Sequence, residues 1–213
     1  MRVNADFDQR VVVKYEENEW VPSPMAGVER KMLDRIGDEI ARATTIVRYA
    51  PGSSFSAHTH DGGEEYIVLE GVFQDEHGDF PVGSYVRNPP TSSHTPASGQ
   101  GAIIFVKLHQ FDPQDRTQVH EKIQSAIDVQ PLFSDDREAV RVEHWKPNSK
   151  TEIDTPGGLE LLVLEGSISE SGDQLEKWDW LRLPPGARMS AEAGANGAKV
   201  WIKSGHLKNL SDS

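Results

Sequence analysis

The chain carries two copies of one sequence pattern. Residues 62–71 read GGEEYIVLEG and residues 157–166 read GGLELLVLEG, so each residue of the second copy lies 95 positions after its counterpart. The proline pairs at 89–90 and 184–185 keep the same separation. A repeat of this length restricts the fold to architectures in which one structural unit occurs twice.

The rest of the alignment of the two copies keeps nearly the same separation. Residues 104–107 and 200–203 match at a separation of 96 instead of 95. A slip of one residue is expected because surface loops accept insertions. The repeat therefore predicts two related domains in tandem, 1–112 and 135–213, joined by a connector at 113–134.

Short strands are predicted through both copies, because β-branched and aromatic residues gather in segments bounded by Gly, Pro, Asn, Asp or Ser. Residues 33–43 could form a short amphipathic turn or helix, although Gly37 weakens a helix there. Residues 115–127 have a helix-compatible composition, in which Val119, Ile123 and Ile127 recur every four residues. The pattern predicts an all-β fold with minor helix. The predicted strands are 44–49, 65–73, 85–88 and 102–108 in the first copy, and 140–145, 160–168, 181–183 and 199–203 in the second.

Composition and charge narrow the classes of function. The chain has a formal net charge of −12 and no basic run longer than two residues, which argues against phosphate contacts with nucleic acid. No segment approaches the ~20 apolar residues that cross a bilayer. Asp6 and Asp8 interrupt any signal-peptide core near the N-terminus. The absence of cysteine excludes disulfides and thiolate zinc sites. These features predict a cytoplasmic protein that binds neither nucleic acid nor membrane.

Four side chains at metal-ligand spacing lie in the first copy: His58-x-His60-x3-Glu64, followed by His94. Residues two apart on a strand share a face, so His58 and His60 can approach one metal together. Neutral imidazoles with one carboxylate suit Zn, Mn, Fe, Ni or Co better than Ca or Cu(I). The spacing predicts a divalent metal site, with zinc as the first choice and iron, manganese or nickel as alternatives.

Glu65 competes with Glu64 for the carboxylate position. Adjacent strand residues face opposite sides, so only one of the two can enter the site, and the motif spacing favours Glu64. Tyr66 shares the parity of Glu64 and is a candidate pocket residue, with simple core packing as the alternative. Arg87 is a second candidate, for an anionic ligand, with a solvated outward side chain as the alternative.

The second copy lacks these ligands. A loop slip would place Asp154 or Pro156 at one of the positions, but no choice restores three imidazoles and a carboxylate. The second domain is therefore predicted to be metal-free. At the constant separation, His58, His60, Glu64 and His94 correspond to Ile153, Thr155, Leu159 and Met189.

The framed motifs H-x-H-x3-E-x6-G and G-x5-P-x4-H resemble the two motifs of the cupin superfamily. The closer resemblance is to the ChrR-type cupin, the C-terminal domain of ChrR anti-sigma factors, and it spans nearly all of residues 15–110. It rests on the segments 20–22 (WVP), 27–28 (GV), 62–65 (GGEE), 68–73 (VLEGVF), 75–78 (DE-x-G) and 83–85 (GSY).

The resemblance implies a bicupin of two jelly-roll β-barrels, with His58, His60, Glu64 and His94 at the metal-ligand positions of the first. It implies a sensory or regulatory metalloprotein that responds to an unknown small molecule. The alternative is a small cupin metalloenzyme, such as a dioxygenase acting on a small organic acid or diketone. By analogy with other bicupins, a homodimer is expected.

The chain departs from the ChrR pattern at its N-terminus. ChrR anti-sigma factors carry a helical N-terminal module with His and Cys zinc ligands, which holds the sigma factor. This chain begins almost directly with cupin sequence and contains no cysteine. Sigma binding is therefore not carried over to it, and catalytic residues stay unassigned.

Overall fold

The structure is a computed structural model that describes residues 1–208 and Leu210. Strands and turns make up this part of the chain, and no helix occurs in it. The all-β prediction is confirmed. In chain order, the strands are β1 (Arg2–Val3), β2 (Val11–Val13), β3 (Val21–Pro22), β4 (Val28–Gly37), β5 (Ala41–Tyr49), β6 (Ser53–Ser54), β7 (His58–Thr59), β8 (Glu64–Asp75), β9 (Gly78–Pro81), β10 (Ser84–Asn88), β11 (Ser93–His94), β12 (Ala97–Ser98), β13 (Ala102–Leu108), β14 (Val119–Lys122), β15 (Val129–Ser134), β16 (Ala139–Trp145), β17 (Lys150–Thr155), β18 (Leu159–Glu170), β19 (Asp173–Leu175), β20 (Trp180–Leu183) and β21 (Ala187–Ser204).

The first compact unit consists of Met1–Ala5 and Glu19–Ile123. Its main sheet has the order β1-β4-β5-β13-β8-β10-β14, and all neighbours are antiparallel. Strands β7 and β11 form a separate two-stranded ribbon. Short strands and tight turns bring this ribbon to the inner face of the sheet, where the candidate metal ligands lie.

The second compact unit consists of Asp6–Asn18 and the chain from Gln124 onward. Its sheet order is β15-β16-β21-β18-β20-β2. Strand β2 pairs with β20, and Arg10 and Lys14 form ion pairs of 2.7 and 2.8 Å with Glu170 and Asp179. The structural division therefore differs from the predicted ranges, because the segment before residue 19 finds its strand partner far along the chain.

Neither segment with helical signals forms a helix. Residues 33–43 belong to the antiparallel hairpin of β4 and β5, in which Gly37 has a φ of 115° next to the turn. In the other segment, Val119 lies on β14, which pairs with β10. A spacing of four residues keeps side chains on one face of a strand as well as of a helix, so the apolar spacing did not distinguish the two.

Side chains that alternate along neighbouring strands form the hydrophobic core of the first unit. On β13, Ile104 and Val106 join Tyr66 and Val68 of β8 in one buried cluster. The intervening residue Phe105 is also buried, which is why β13 reads as an unbroken apolar run. The inner face carries the apolar cluster, and the candidate ligands lie at one end of it.

The two units repeat the same pairing. Ile67 pairs with Tyr85 in the first unit, and Leu162 pairs with Trp180 in the second. In both units the strand after the Gly-Gly turn contains a glycine at a left-handed φ, 70° at Gly71 and 73° at Gly166. The sequence repeat is thus a repeat of strand register.

Gly71 is a point where a side chain does not fit. A Cβ there would lie 2.0 Å from the carbonyl oxygen of Gly101, in addition to the strain of its left-handed backbone. We expect Gly71→Ala to lower the free energy of unfolding by more than ~3 kcal/mol, measured by urea denaturation. Gly52→Ala is the matched control, because Gly52 has a φ of 76° and a Cβ at that position would have no heavy atom within 4 Å. An equal loss in both variants would show that the contact with Gly101 does not matter.

Candidate metal centre

The β7–β11 ribbon brings two of the predicted ligands together. His58 on β7 is directly opposite His94 on β11 in the antiparallel register. His60 extends the ribbon, since its amide donates to the carbonyl of Ser92 at 2.9 Å. His58 and His60 are two residues apart and present their rings on one side, as the sequence predicts.

A tight turn returns the carboxylate to the same point. Gly63 has a φ of 77° and directly precedes Glu64, the first residue of β8. A Cβ on Gly63 would lie 2.4 Å from the ring of Phe111, so glycine is required by both backbone and packing. Glu64 therefore begins its strand with the side chain facing the ribbon.

The ligand atoms converge. His60 Nε2 lies 3.2 Å from His94 Nε2, and Glu64 Oε2 lies 3.4 Å from His60 Nε2 and 3.7 Å from His94 Nε2. Each of His58, His60 and His94 offers a ring nitrogen within 4.8 Å of the other two. The structure therefore assembles all four predicted side chains.

These separations fit a shared ion. Two ligand atoms that are each about 2.1 Å from one metal stand roughly 3.0–3.4 Å apart for angles between a right angle and the tetrahedral angle. The His60–His94 and His60–Glu64 separations fall within that range. Metal binding would also relieve the close approach of unprotonated imidazole nitrogens.

Hydrogen bonds at the opposite ring nitrogens direct Nε2 inward. His58 Nδ1 donates to the carbonyl of Ser56 at 3.3 Å, and His94 Nδ1 donates to Asp75 Oδ2 at 3.3 Å. Ser92 Oγ donates its hydrogen to the Pro89 carbonyl, so it accepts from His60 Nδ1 at 3.1 Å. Each imidazole is thereby held in the tautomer whose Nε2 lone pair is available to a metal.

Burial favours the protonation states that a metal needs in its histidines. Burial, and then the charges of His58 and His109, lower the pKa of His60 to about 4. Burial also lowers the pKa of His94 and raises the pKa of Glu64. Neutral imidazoles are ready to ligate, and a buried carboxylate is stabilised by a cation that takes the place of its proton.

Glu65 faces the other side of β8. Its Oε1 accepts a hydrogen bond of 2.6 Å from the hydroxyl of Tyr85, and its Oε2 lies 3.8 Å from Arg87. The structure places Glu64, not Glu65, at the cluster, as the spacing predicts. Glu65 is part of a buried polar group on the opposite face.

The two candidate pocket residues lie on different faces of the sheet. Arg87 pairs with Asp115 at 2.9 Å and stacks on Phe111, on the Glu65 side of the sheet, so its assignment to the pocket is wrong. It is also 1% exposed, which excludes the solvated alternative. Tyr66 lies on the inner face but packs in the core against Phe73, with ring centroids 5.1 Å apart.

Several residues at the site were not predicted from the sequence. Asn88 Nδ2 donates to Glu64 Oε2 at 3.2 Å, and Asp75 and Ser92 orient two of the imidazoles. Asn88 follows Arg87 on β10 and pairs with Glu64. Because adjacent strand residues face opposite sides, Arg87 points away from the cluster and Asn88 points toward it. The register between β8 and β10 could not be predicted from the sequence and is known only from the structure.

A cavity of about 270 Å³ opens beside the ligands. It includes His58, His60 and Glu64, together with the polar side chains of Arg30 and His109. Its remaining wall is mostly apolar, and this volume is just below the ~300–1,000 Å³ usual for small-molecule sites. The apolar lining includes Met25, Val28, Val47, Phe55, Val106 and Leu108.

The second unit fills the equivalent positions with other side chains. Ile153 pairs with Met189 as His58 pairs with His94, so the separation of 95 residues holds at the ligands and the alternative slip is excluded. Leu159 and Met189 are fully buried in the second apolar core. Thr155 donates a hydrogen bond of 2.7 Å to the carbonyl of Ala187. Within the described residues, no group of metal-binding side chains occurs in this unit.

The family model of the ChrR Cupin-like domain matches residues 8–112, which include all four ligands. These residues belong to the ChrR cupin-like family. The cupin barrel and its three converging histidines together support binding of a divalent metal. The part of the chain that the structure describes has no helix long and apolar enough to cross a membrane.

Known proteins similar to this chain include an enzyme. The acetylacetone-cleaving enzyme of Acinetobacter johnsonii is 29% identical over 103 residues, which cover 46% of this chain and 67% of the enzyme. A dioxygenase candidate from Nostoc punctiforme has a similar structure, with a TM-score of 0.73 and 14% identity over 96% of this chain and 84% of that one. The bacterial pirin YhhW of Escherichia coli, solved in complex with nickel(II), gives a TM-score of 0.70 at 14% identity, covering 92% of this chain and 98% of that one.

The contact between His94 and Asp75 provides a test of how the ligands are oriented. We expect Asp75→Asn to weaken metal binding about 10- to 100-fold without unfolding the protein, because the imidazole loses an anionic acceptor for its Nδ1 proton. Metal affinity is measured by competition with a chelator. Asp79→Asn, at an exposed carboxylate bonded to Gln74, is the control. Unchanged affinity in Asp75→Asn would show that the contact does not orient His94.

Proposed function

We propose that this chain is a metal-dependent dioxygenase that cleaves a carbon–carbon bond in a small dicarbonyl compound. One observation carries the proposal: three imidazoles and one carboxylate converge, and two of these imidazoles and the carboxylate line a small, mostly apolar cavity. A structural metal site is normally closed to solvent and ligands, whereas His58 in this cluster is exposed. The similarity to an acetylacetone-cleaving enzyme supports the substrate class.

Ferrous iron is the metal that we propose for this reaction. A ferrous ion held by His58, His60, Glu64 and His94 would have at most two positions left for exogenous ligands, and it would supply the redox chemistry that dioxygen requires. Zinc was the first expectation from the donor set and stays a prediction, but it has no redox chemistry to offer dioxygen.

The residues around the ligands have separate tasks in this proposal. The fixed Nδ1 contacts of the three histidines hold the ring nitrogens in place before any ligand binds. The apolar walls exclude water from the dicarbonyl compound and position its carbon chain. His109 lines the cavity outside the ligand set and offers an imidazole to accept the proton lost from the carbon between the carbonyls.

The reaction needs no external reductant. One dioxygen molecule adds its two atoms to the two fragments that the cleaved carbon–carbon bond leaves, so the electrons removed from the dicarbonyl compound reduce the oxygen. Heavy-oxygen labelling therefore distinguishes this reaction from hydrolysis, in which label enters from water alone.

The test compares metals in one preparation. The protein is stripped of metal, reloaded without oxygen with Fe(II), Mn(II), Ni(II) or Zn(II), and mixed with oxygenated acetylacetone. We expect oxygen uptake with Fe(II), one dioxygen consumed per dicarbonyl cleaved, and none in His94→Ala. Failure of every metal to support oxygen uptake across a panel of dicarbonyl compounds contradicts the proposal, and hydrolysis by the zinc form would replace it.

A regulatory metalloprotein is the second candidate, favoured by the match to the ChrR Cupin-like domain. In that role, metal or ligand occupancy would alter a contact with a partner protein, without turnover. Steady-state product formation by the iron-loaded protein would favour the enzyme. Stoichiometric ligand binding without product would favour the regulator.

A further inference from the structure

Arg30 projects from β4 into the candidate metal cavity. It lies between Val28 and Met32 on the face that carries the inner core, and it pairs with Val47 of β5 in the sheet. Its side chain lines the same cavity as His58 and Glu64. Arg30 is thus a cationic side chain placed among apolar ones beside the ligand cluster.

The guanidinium of Arg30 has no counterion within the described residues. Its Nε is buried without a hydrogen-bond partner, and no ion pair or side-chain hydrogen bond joins its guanidinium to another described residue. Two other arginines of the unit are paired: Arg48 with Glu29 at 2.5 Å, and Arg87 with Asp115 at 2.9 Å. A half-buried arginine in an apolar wall therefore has an Nε donor without an acceptor.

The charged groups around Arg30 do not neutralise its positive charge. Burial, and then the charge of Arg30, lower the pKa of Arg35, so a second cation lies near it. The cavity carboxylate, Glu64, contacts His60, His94 and Asn88 instead. A buried Nε donor without an acceptor costs free energy, and a bound anion would recover it through a charge-assisted hydrogen bond.

We infer that Arg30 binds a carboxylate of the substrate, so that the substrate is a small dicarbonyl acid and not a neutral diketone. This inference rests on the proposed function and narrows it. The guanidinium fork matches a carboxylate in a bidentate arrangement. The dicarbonyl group then faces the metal ligands, and the valine and leucine side chains of the cavity contact the carbon atoms of the substrate.

Two probes separate the carboxylate from the rest of the ligand. Acetylpyruvate and acetylacetone have the same dicarbonyl unit and differ by a carboxylate in place of one methyl group. Binding is measured by calorimetry on the zinc-loaded protein without oxygen, so that the result does not depend on turnover. We expect the wild-type protein to bind acetylpyruvate at least about tenfold more tightly than acetylacetone.

Variants test whether Arg30 is the cause. We expect Arg30→Met to weaken acetylpyruvate binding about 10- to 100-fold and to change acetylacetone binding less than about twofold. Arg30→Lys, which keeps the charge and loses the fork, should lie between the two. Arg48→Met is the matched control, because Arg48 leaves the neighbouring strand of the same sheet and pairs with Glu29; it should change neither affinity.

Some results would overturn the inference without touching the proposed function. Equal wild-type affinities for the two probes would exclude carboxylate recognition, even if Arg30→Met does not fold. Equal weakening of both probes in a folded Arg30→Met would assign Arg30 a structural role. In contrast, an Arg30-dependent preference for acetylpyruvate without any oxygen uptake by the iron-loaded protein would support the inference and reject the dioxygenase.

Discussion

Replacing His60 and His94 together by alanine is expected to abolish stoichiometric metal binding and to leave the barrels folded. The two Nε2 atoms lie 3.2 Å apart and both approach Glu64, so the variant loses two ligands of one ion. Since loss of an orienting contact alone weakens metal sites about 10- to 100-fold, loss of two direct ligands should exceed about 100-fold. Metal content is measured by elemental analysis, and the fold by circular dichroism.

The matched control for this variant is His120→Ala. His120 is an exposed histidine of the same unit, with its ring against Phe80. It should keep one metal per chain. If the double variant still held stoichiometric metal, the cluster would not be the binding site; if it unfolded, His94→Ala alone would decide the question.

Glu64→Gln and Glu65→Gln are expected to have opposite effects, although the two positions are adjacent. Burial raises the pKa of Glu64, so its ionised form is unfavourable in the metal-free protein. A neutral amide of the same shape should leave the metal-free protein as stable as before or more so. It should also weaken metal binding at least about 100-fold, because it removes the only anionic ligand.

Glu65→Gln should instead destabilise the fold and leave metal affinity unchanged. The carboxylate accepts a hydrogen bond from Tyr85 and faces Arg87 on the side away from the cluster. Loss of its charge should lower the free energy of unfolding by about 1–3 kcal/mol. Denaturation and chelator competition on both variants give the comparison, and a loss of metal affinity in Glu65→Gln alone would reverse the assignment of the carboxylate ligand.

The features of the fold that could be predicted from the sequence are those encoded in a single segment or in the repeat. Strand segments such as β13 follow from their β-branched and aromatic residues. The repeat determined the strand equivalences, and the register of Ile153 with Met189 agrees with the constant separation. The preference for Glu64 over Glu65 follows from the alternation of side chains along a strand.

The predictions that were wrong depend on pairings between segments that are distant in the sequence. Val119 and Ile123 recur at a spacing that fits both a helix and a strand, and pairing of Val119–Lys122 with β10 decides in favour of the strand. Arg87 was misplaced because its parity relative to Glu64 depends on the register between β8 and β10. Arg30 carries no motif, and its place in the cavity follows from the way β4 pairs with β5.

The two copies share a buried polar group but not the metal ligands. The buried residues Glu65, Arg87 and Lys107 recur as Glu160, Arg182 and Lys203. The metal ligands recur as two apolar side chains in the core, a partly buried isoleucine and a threonine bonded to the backbone. The polar group therefore belongs to the architecture of the barrel, whereas the ligand set is confined to the copy that has the cavity beside it.

The central claim is that one metal binds in the first barrel and none in the second. Anomalous diffraction from crystals of the iron-loaded protein tests it most directly. We predict one anomalous peak per chain, within bonding distance of the Nε2 atoms of His58, His60 and His94 and a carboxylate oxygen of Glu64. A peak in the second barrel, or a single peak away from these four residues, would contradict the claim.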